Sequence, residues 1–285
     1  MKIRLAALLP LFMLASCGND APVATGNDST PVDTLTATKV DAPESTSDLP
    51  SPLRVAAMFK RSGLKYLPGL TNSDANASKY SSTFTSAENM GVYSADMAYC
   101  VSNKQSNEGT KYLKVIRDLG KQLNLNKVFE QSNLYDRFQN NLNNEDSLGK
   151  VVAEIQYQTD QQLEENGQND IYGIIFAGAW VESMYIGGEV YQKDGNDNVL
   201  NALLEQMAVC KNIVSELEVY QSQNTAIAPL IADLKQIQEA INAMPSMKKL
   251  NDDPDLEFSD VHPTKEEILP VIKKIEEIRT KIING

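Results

Sequence analysis

Two short stretches of this 285-residue chain carry the residue types and spacing that could do chemistry. In Gly91-Val92-Tyr93-Ser94-Ala95-Asp96-Met97, a tyrosine and an aspartate sit three residues apart, as they would on one face of a helix. In Gly178-Ala179-Trp180-Val181-Glu182-Ser183-Met184, a tryptophan and a glutamate sit two apart, and Tyr185 follows. The leading glycine of each lets a neighbouring helix come close. If the two stretches face one another, Tyr93, Asp96, Trp180, Glu182 and Tyr185 line one cleft. Amphipathic aromatics beside carboxylates suit a cationic or sugar-like ligand. The competing expectation is that Tyr93 and Trp180 are core and that the acids satisfy contacts between helices.

The remaining chemistry is sparse. The chain has 38 acidic and 26 basic side chains, a net charge of -12, which opposes the neutralisation of nucleic-acid phosphates; no nucleic-acid partner is expected. The single histidine, His262, excludes multi-histidine metal sites and histidine-dependent triads assembled elsewhere in the chain. No catalytic residue, resident metal or cofactor is therefore assigned, and the chain is read as a non-enzyme. Asp194-Gly195-Asn196-Asp197-Asn198 has acids and amides at calcium-loop spacing, but Val199 stands where such a loop needs glycine. It reads as an interhelical loop with Asp197 or Asn198 as helix cap. Asp252, Asp253, Asp255, Glu257 and Asp260 read as a solvated acidic loop. Cys100 and Cys210 form a candidate disulfide if the protein is exported.

The N-terminus bears on that compartment. Lys2 and Arg4 precede an apolar run, Leu5 to Leu14, which is too short for the roughly 20 residues that span a bilayer. The run ends in Leu14-Ala15-Ser16-Cys17, which resembles the lipobox of bacterial lipoproteins. The resemblance implies a signal peptide over residues 1–16, diacylglycerol on the Cys17 thiol, and an acylated new N-terminus. Several acyl chains give stable membrane anchoring where one is marginal. Cleavage would also remove Lys2 and Arg4, leaving the mature chain still more acidic.

Residues 17–50 read as the lipidated cysteine and a flexible tether rich in Ser, Thr, Pro, Asp and Ala, with too little apolar surface to offset ordering entropy. Random-coil scaling gives the tether a span of about 30 Å. Asp28-Ser29-Thr30 and Asp33-Thr34-Leu35 resemble acceptor patterns of bacterial O-glycosylation.

Residues 51–285 read as a single all-helical domain of roughly eight to ten antiparallel helices, with no strand-like alternation. The two Gly-aromatic-acid stretches align at an offset of 87 residues, which also lays Leu113 on Leu200 and Ile116 on Leu203, as in a duplicated helical bundle. Gly91-x-Tyr93-x-x-Asp96 is similar to the Gly-x-His-x-x-Glu motif of imelysin-like proteins, helical proteins built of duplicated bundles. Tyrosine replaces the histidine and aspartate the glutamate, which removes the nitrogen ligand that a metal would use. The body as a whole looks more like a helical lipoprotein than a member of that family. The expected function is a lipid-anchored binding or scaffold module for a protein partner in the cell envelope, at the outer membrane. The alternative is capture of a small ligand or metal for uptake, through a cleft between two related bundles.

Overall fold

A computed structural model describes residues 51–130, 133–256 and 260–285. The lipobox with Cys17, the tether and its candidate glycosylation sites lie outside the described residues, as does Glu257. Among the described residues the fold is all-α, with twelve α-helices and two short 3-10 turns and no strand.

Local sequence starts most of these helices. Helix α1 (Pro52–Arg61) begins with Pro52 in its first turn, and the Ser51 hydroxyl accepts from the Arg54 amide. Helix α2 (Thr83–Ser102) is opened by a reciprocal capping box between Ser82 and Thr85. Helix α3 (Ser106–Gln122) follows, then the short α4 (Asn126–Glu130) and α5 (Leu134–Asn140). Helix α6 (Glu145–Glu165) starts where the Asn144 side chain caps it by accepting from the Ser147 amide. Helix α7 (Asn169–Asp194) is buried on nearly every side, which is why it lacks an amphipathic stripe. It ends at Gly195, whose φ of +62° supplies a left-handed cap.

Residues 198–221, which read as one helix, form two: α8 (Asp197–Met207) and α9 (Cys210–Tyr220), separated at Ala208-Val209. Their apolar stripes continue across the break, so periodicity alone does not reveal it. This break and the short helices raise the count above the eight to ten expected. Helices α10 (Ala228–Ala243) and α11 (Pro245–Asp252) lead to α12 (Lys265–Asn284), opened by a reciprocal capping box of Thr264 and Glu267.

Helices α2 and α7 cross at the centre, and the others pack around them over one connected apolar core. The crossing is glycine on backbone from both sides. A Cβ on Gly91 would lie 1.9 Å from the Ile175 carbonyl oxygen, and one on Gly178 would lie 2.1 Å from that of Glu88. The relation is reciprocal: each glycine meets the residue three before the other, in the register that the 87-residue offset gives. Leu113 and Leu200, and Ile116 and Leu203, are all buried on the helices that follow. Between α1 and α2 the chain has no regular helix over residues 64–73; this strap leads to a 3-10 turn, Asp74–Lys79.

Candidate functional site: a buried acid–arginine centre

Asp96 on α2 and Glu182 on α7 are fully buried, and both face Arg279, which α12 contributes from near the end of the chain. The Arg279 guanidinium grips Glu182 in a fork: Nε donates to Oε2 at 2.8 Å and Nη2 to Oε1 at 2.9 Å. Nη2 also donates to the Leu70 carbonyl at 3.1 Å, on the strap. The ring of Tyr185, one turn beyond Glu182, lies 4.4 Å from the guanidinium carbon and covers it as a cation–π partner.

Asp96 holds the strap from the other side. Its Oδ2 accepts from the Asn72 amide at 3.0 Å, while Oδ1 is buried with no donor. Burial pushes the Asp96 carboxyl well above the usual carboxylate range, and the neighbouring Glu182 charge pushes it further; Arg279 and the Asn72 amide only partly oppose them. Burial works against the charge on Arg279, but the Glu182 hydrogen bonds and charge outweigh it and hold the guanidinium firmly protonated.

Tyrosines fasten the rest of the strap. Tyr93 donates to the Ser73 carbonyl at 2.7 Å, Tyr112 to Thr71 Oγ1 at 2.7 Å, and the Leu67 amide donates to the Tyr99 hydroxyl at 2.7 Å. Tyr93 stacks on Tyr112 with centroids 5.9 Å apart and lies tilted against Tyr80, which accepts from the Asn72 side chain. Tyr80 in turn donates to the Ile283 carbonyl at the end of α12. Burial drives the Tyr93 and Tyr112 hydroxyls upward and Tyr99 to about 12, so all three remain neutral donors or acceptors across the physiological range.

The structure therefore brings together Tyr93, Asp96, Glu182 and Tyr185, but as a closed centre and not a lined cleft. Trp180 does not join them. It is buried on another side of α7, and its Nε1 donates to the Gln206 carbonyl on α8 at 3.1 Å. Residues two apart on a helix diverge by about 200°, so Trp180 and Glu182 could not share a face, whereas Glu182 and Tyr185 do. Arg279 was missed by sequence reasoning because no local motif surrounds it. Its signal was positional: it stands four residues after Ile275, on the apolar stripe of α12, where an unpaired charge would be prohibitively costly.

The secondary candidates resolve individually. Cys100 and Cys210 are free and buried, which corrects the candidate disulfide. Cys210 Sγ donates to the Leu234 carbonyl on α10 at 3.6 Å, whereas Cys100 lies in the core side of α2. In the Asp194–Asn198 loop, Asn196 and not Asp197 or Asn198 is the cap of α8, since its side chain accepts from the Asn198 amide at 2.9 Å. Asp194 pairs with Lys65 at 3.1 Å. In the acidic segment, Asp253 accepts from the Asp255 amide at 3.0 Å, a local turn, and His262 is exposed. Among the described residues no group of three or more His, Cys, Asp or Glu could hold a metal ion. Comparison with family models, curated proteins and solved structures finds no match to this chain.

Proposed function

We propose that this chain is a lipid-anchored, non-enzymatic binding or scaffold module of the bacterial cell envelope, held to the outer membrane by Cys17 and presenting its helical body to a protein partner. The observation that carries the reading is the closed centre: Glu182 has both oxygens taken by Arg279, and Asp96 is fully buried beneath the strap it holds, so the body offers its surface. The lipobox and tether supply location and reach, as the sequence implies. Among the described residues only two large apolar side chains, Val219 and Leu256, are exposed, so recognition falls to polar and charged groups. With a net charge of -12, a basic partner surface is the complementary one.

The test is recovery of the native protein from membranes with and without crosslinking. A defined envelope protein, lost as salt rises and lost from the membrane fraction in a Cys17→Ser variant, is the expected result. Recovery that strengthens in 1 M salt overturns the electrostatic account.

One observation favours the alternative, small-ligand capture. Met90, Met97, Ile116, Ile155 and Phe176 line an apolar cavity between α2, α3, α6 and α7, with Ser94 and Thr159 among its polar lining. Capture there would raise the melting temperature at ligand concentrations well above Kd, and a Ser94→Phe variant would remove the shift.

A further inference from the structure

The acid–arginine centre has an unbalanced inventory. Glu182 already receives both of its close donors from Arg279, and Asp96 Oδ1 has none. Both carboxyls are fully buried, and Glu182 acts on Asp96 through its charge and through a side-chain hydrogen bond. Two ionised carboxylates there would leave one buried negative charge uncompensated and an acceptor facing an acceptor. A single proton on Asp96 repairs both faults: Oδ1 becomes a donor to Glu182, Oδ2 still accepts from the Asn72 amide, and the centre becomes neutral with Glu182 and Arg279 as its one ion pair.

We propose that Asp96 carries this proton, donates it in a hydrogen bond to Glu182, and thereby latches the 64–73 strap, so that deprotonation opens the centre of the bundle to solvent. The charged and titratable groups facing Asp96 are Glu182 from α7, Arg279 from α12, Tyr112 from α3, and Tyr93, Tyr99 and Cys100 on its own helix. Burial raises all four of the tyrosine and cysteine groups, so each stays neutral across the physiological range.

Opening has one inexpensive route. Helices α2 and α7 meet at backbone contact at Gly91 and Gly178, and parting them would also break the buried packing that flanks the crossing. The strap has no helix of its own and is fastened by side-chain hydrogen bonds, including those to Asp96 and Arg279. On its outer side it borders an open groove lined by Leu67, Pro68, Leu70, Glu189, Lys193 and Glu276. Leu70 is common to both: it lines that groove, and its carbonyl accepts from Arg279.

The experiment measures hydrogen-exchange protection at the Leu67 and Asn72 amides, corrected for intrinsic exchange, from neutral to alkaline pH. The full chain is compared with its Asp96→Asn variant. Asparagine reproduces the protonated acid: its oxygen accepts from Asn72 and its amide donates to Glu182. Wild-type protection at the strap should fall about tenfold per pH unit above the Asp96 transition, as one proton release demands, while α7 core amides hold. Asp96→Asn should show no such fall. Glu88 titrates in both proteins and cancels in the comparison. Identical profiles in the two proteins, or protection lost uniformly over strap and core, overturn the proposal. A variant-free check is the infrared carbonyl band of a protonated aspartic acid in isotope-labelled wild-type protein at neutral pH; its absence overturns it as well.

Discussion

Replacing Gly91 by alanine tests the central crossing. The added Cβ would fall 1.9 Å from the Ile175 carbonyl oxygen and 2.8 Å from the Ala179 nitrogen. Both are backbone atoms of a continuous helix, so no side chain can swing aside. Restoring ordinary contact near 3.4 Å requires α2 and α7 to separate by about 1.5 Å along that direction. The buried residues flanking the crossing, among them Ala87, Met90, Ala177 and Val181, would lose close contact together. Alanine gains about 1 kcal/mol in helix propensity over glycine, and overpacking of this severity costs several. The expected net loss is about 2–4 kcal/mol, read as a lower urea midpoint with unchanged slope. Gly178→Ala should behave alike, since its Cβ would meet the Glu88 carbonyl oxygen at 2.1 Å. One separation relieves both clashes, so the double variant should lose clearly less than the sum of the singles. A loss below about 0.5 kcal/mol for Gly91→Ala, or strict additivity in the double variant, would refute the locked crossing.

Other expectations follow from the same geometry. Glu88 is buried near Asp233, and desolvation first, then that neighbouring charge, raises its carboxyl from 4.5 to about 8 despite the opposing Lys281. The native state therefore binds a proton that the unfolded state releases near pH 4.5, so native stability falls as pH rises from there to about 8 and then levels. Glu88→Gln should match wild type at pH 4, and its advantage should grow to a few kcal/mol by pH 9 in denaturant titrations; a pH-independent difference contradicts this burial. Arg279→Ala, leaving Glu182 charged and unpaired, should lose about 3–5 kcal/mol, and Arg279→Met combined with Glu182→Leu should recover much of it. Burial lifts the Cys210 thiol to about 12 and raises Cys100 too, so neither should react with a thiol reagent before unfolding, and reduction should leave the mass unchanged.

Much of the helical framework was legible because it is locally encoded. The Thr264–Glu267 box, Pro52 after Ser51, and the apolar stripe of α12 each carry their own start or face signal. The break at Ala208-Val209 was not legible, since neither glycine nor proline marks it and the apolar residues keep their period across it. Of the site, the alignment of the glycines was readable and its consequence was not. The sequence pairs Gly91 with Gly178; only the packing reveals that they touch each other's helices and bring Asp96 and Glu182 inward. The compensating charge, Arg279, is 97 residues beyond Glu182, and the strap that both hold is irregular, so neither had a periodic signal.

The two features at the centre have opposite mechanical characters, and this links them. A glycine crossing has no slack: it relies on backbone contact, which side-chain protonation does not loosen. The strap depends on individual hydrogen bonds with Tyr93, Asp96, Tyr99, Tyr112 and Arg279, and two of these, Asp96 and Arg279, are charged-group partners of Glu182. A change in charge at the centre is therefore not absorbed by the helices and must appear where the polar fastenings end, at residues 64–73. It follows that Gly91→Ala and Asp96→Ala should differ in kind. The first should loosen α2 and α7 and lower global stability, with strap and core amides exposed together. The second should expose the strap amides selectively while core protection changes less. If both variants open strap and core in the same proportion, the strap is not a separately fastened element, and the acid–arginine centre stabilises the bundle only as a whole.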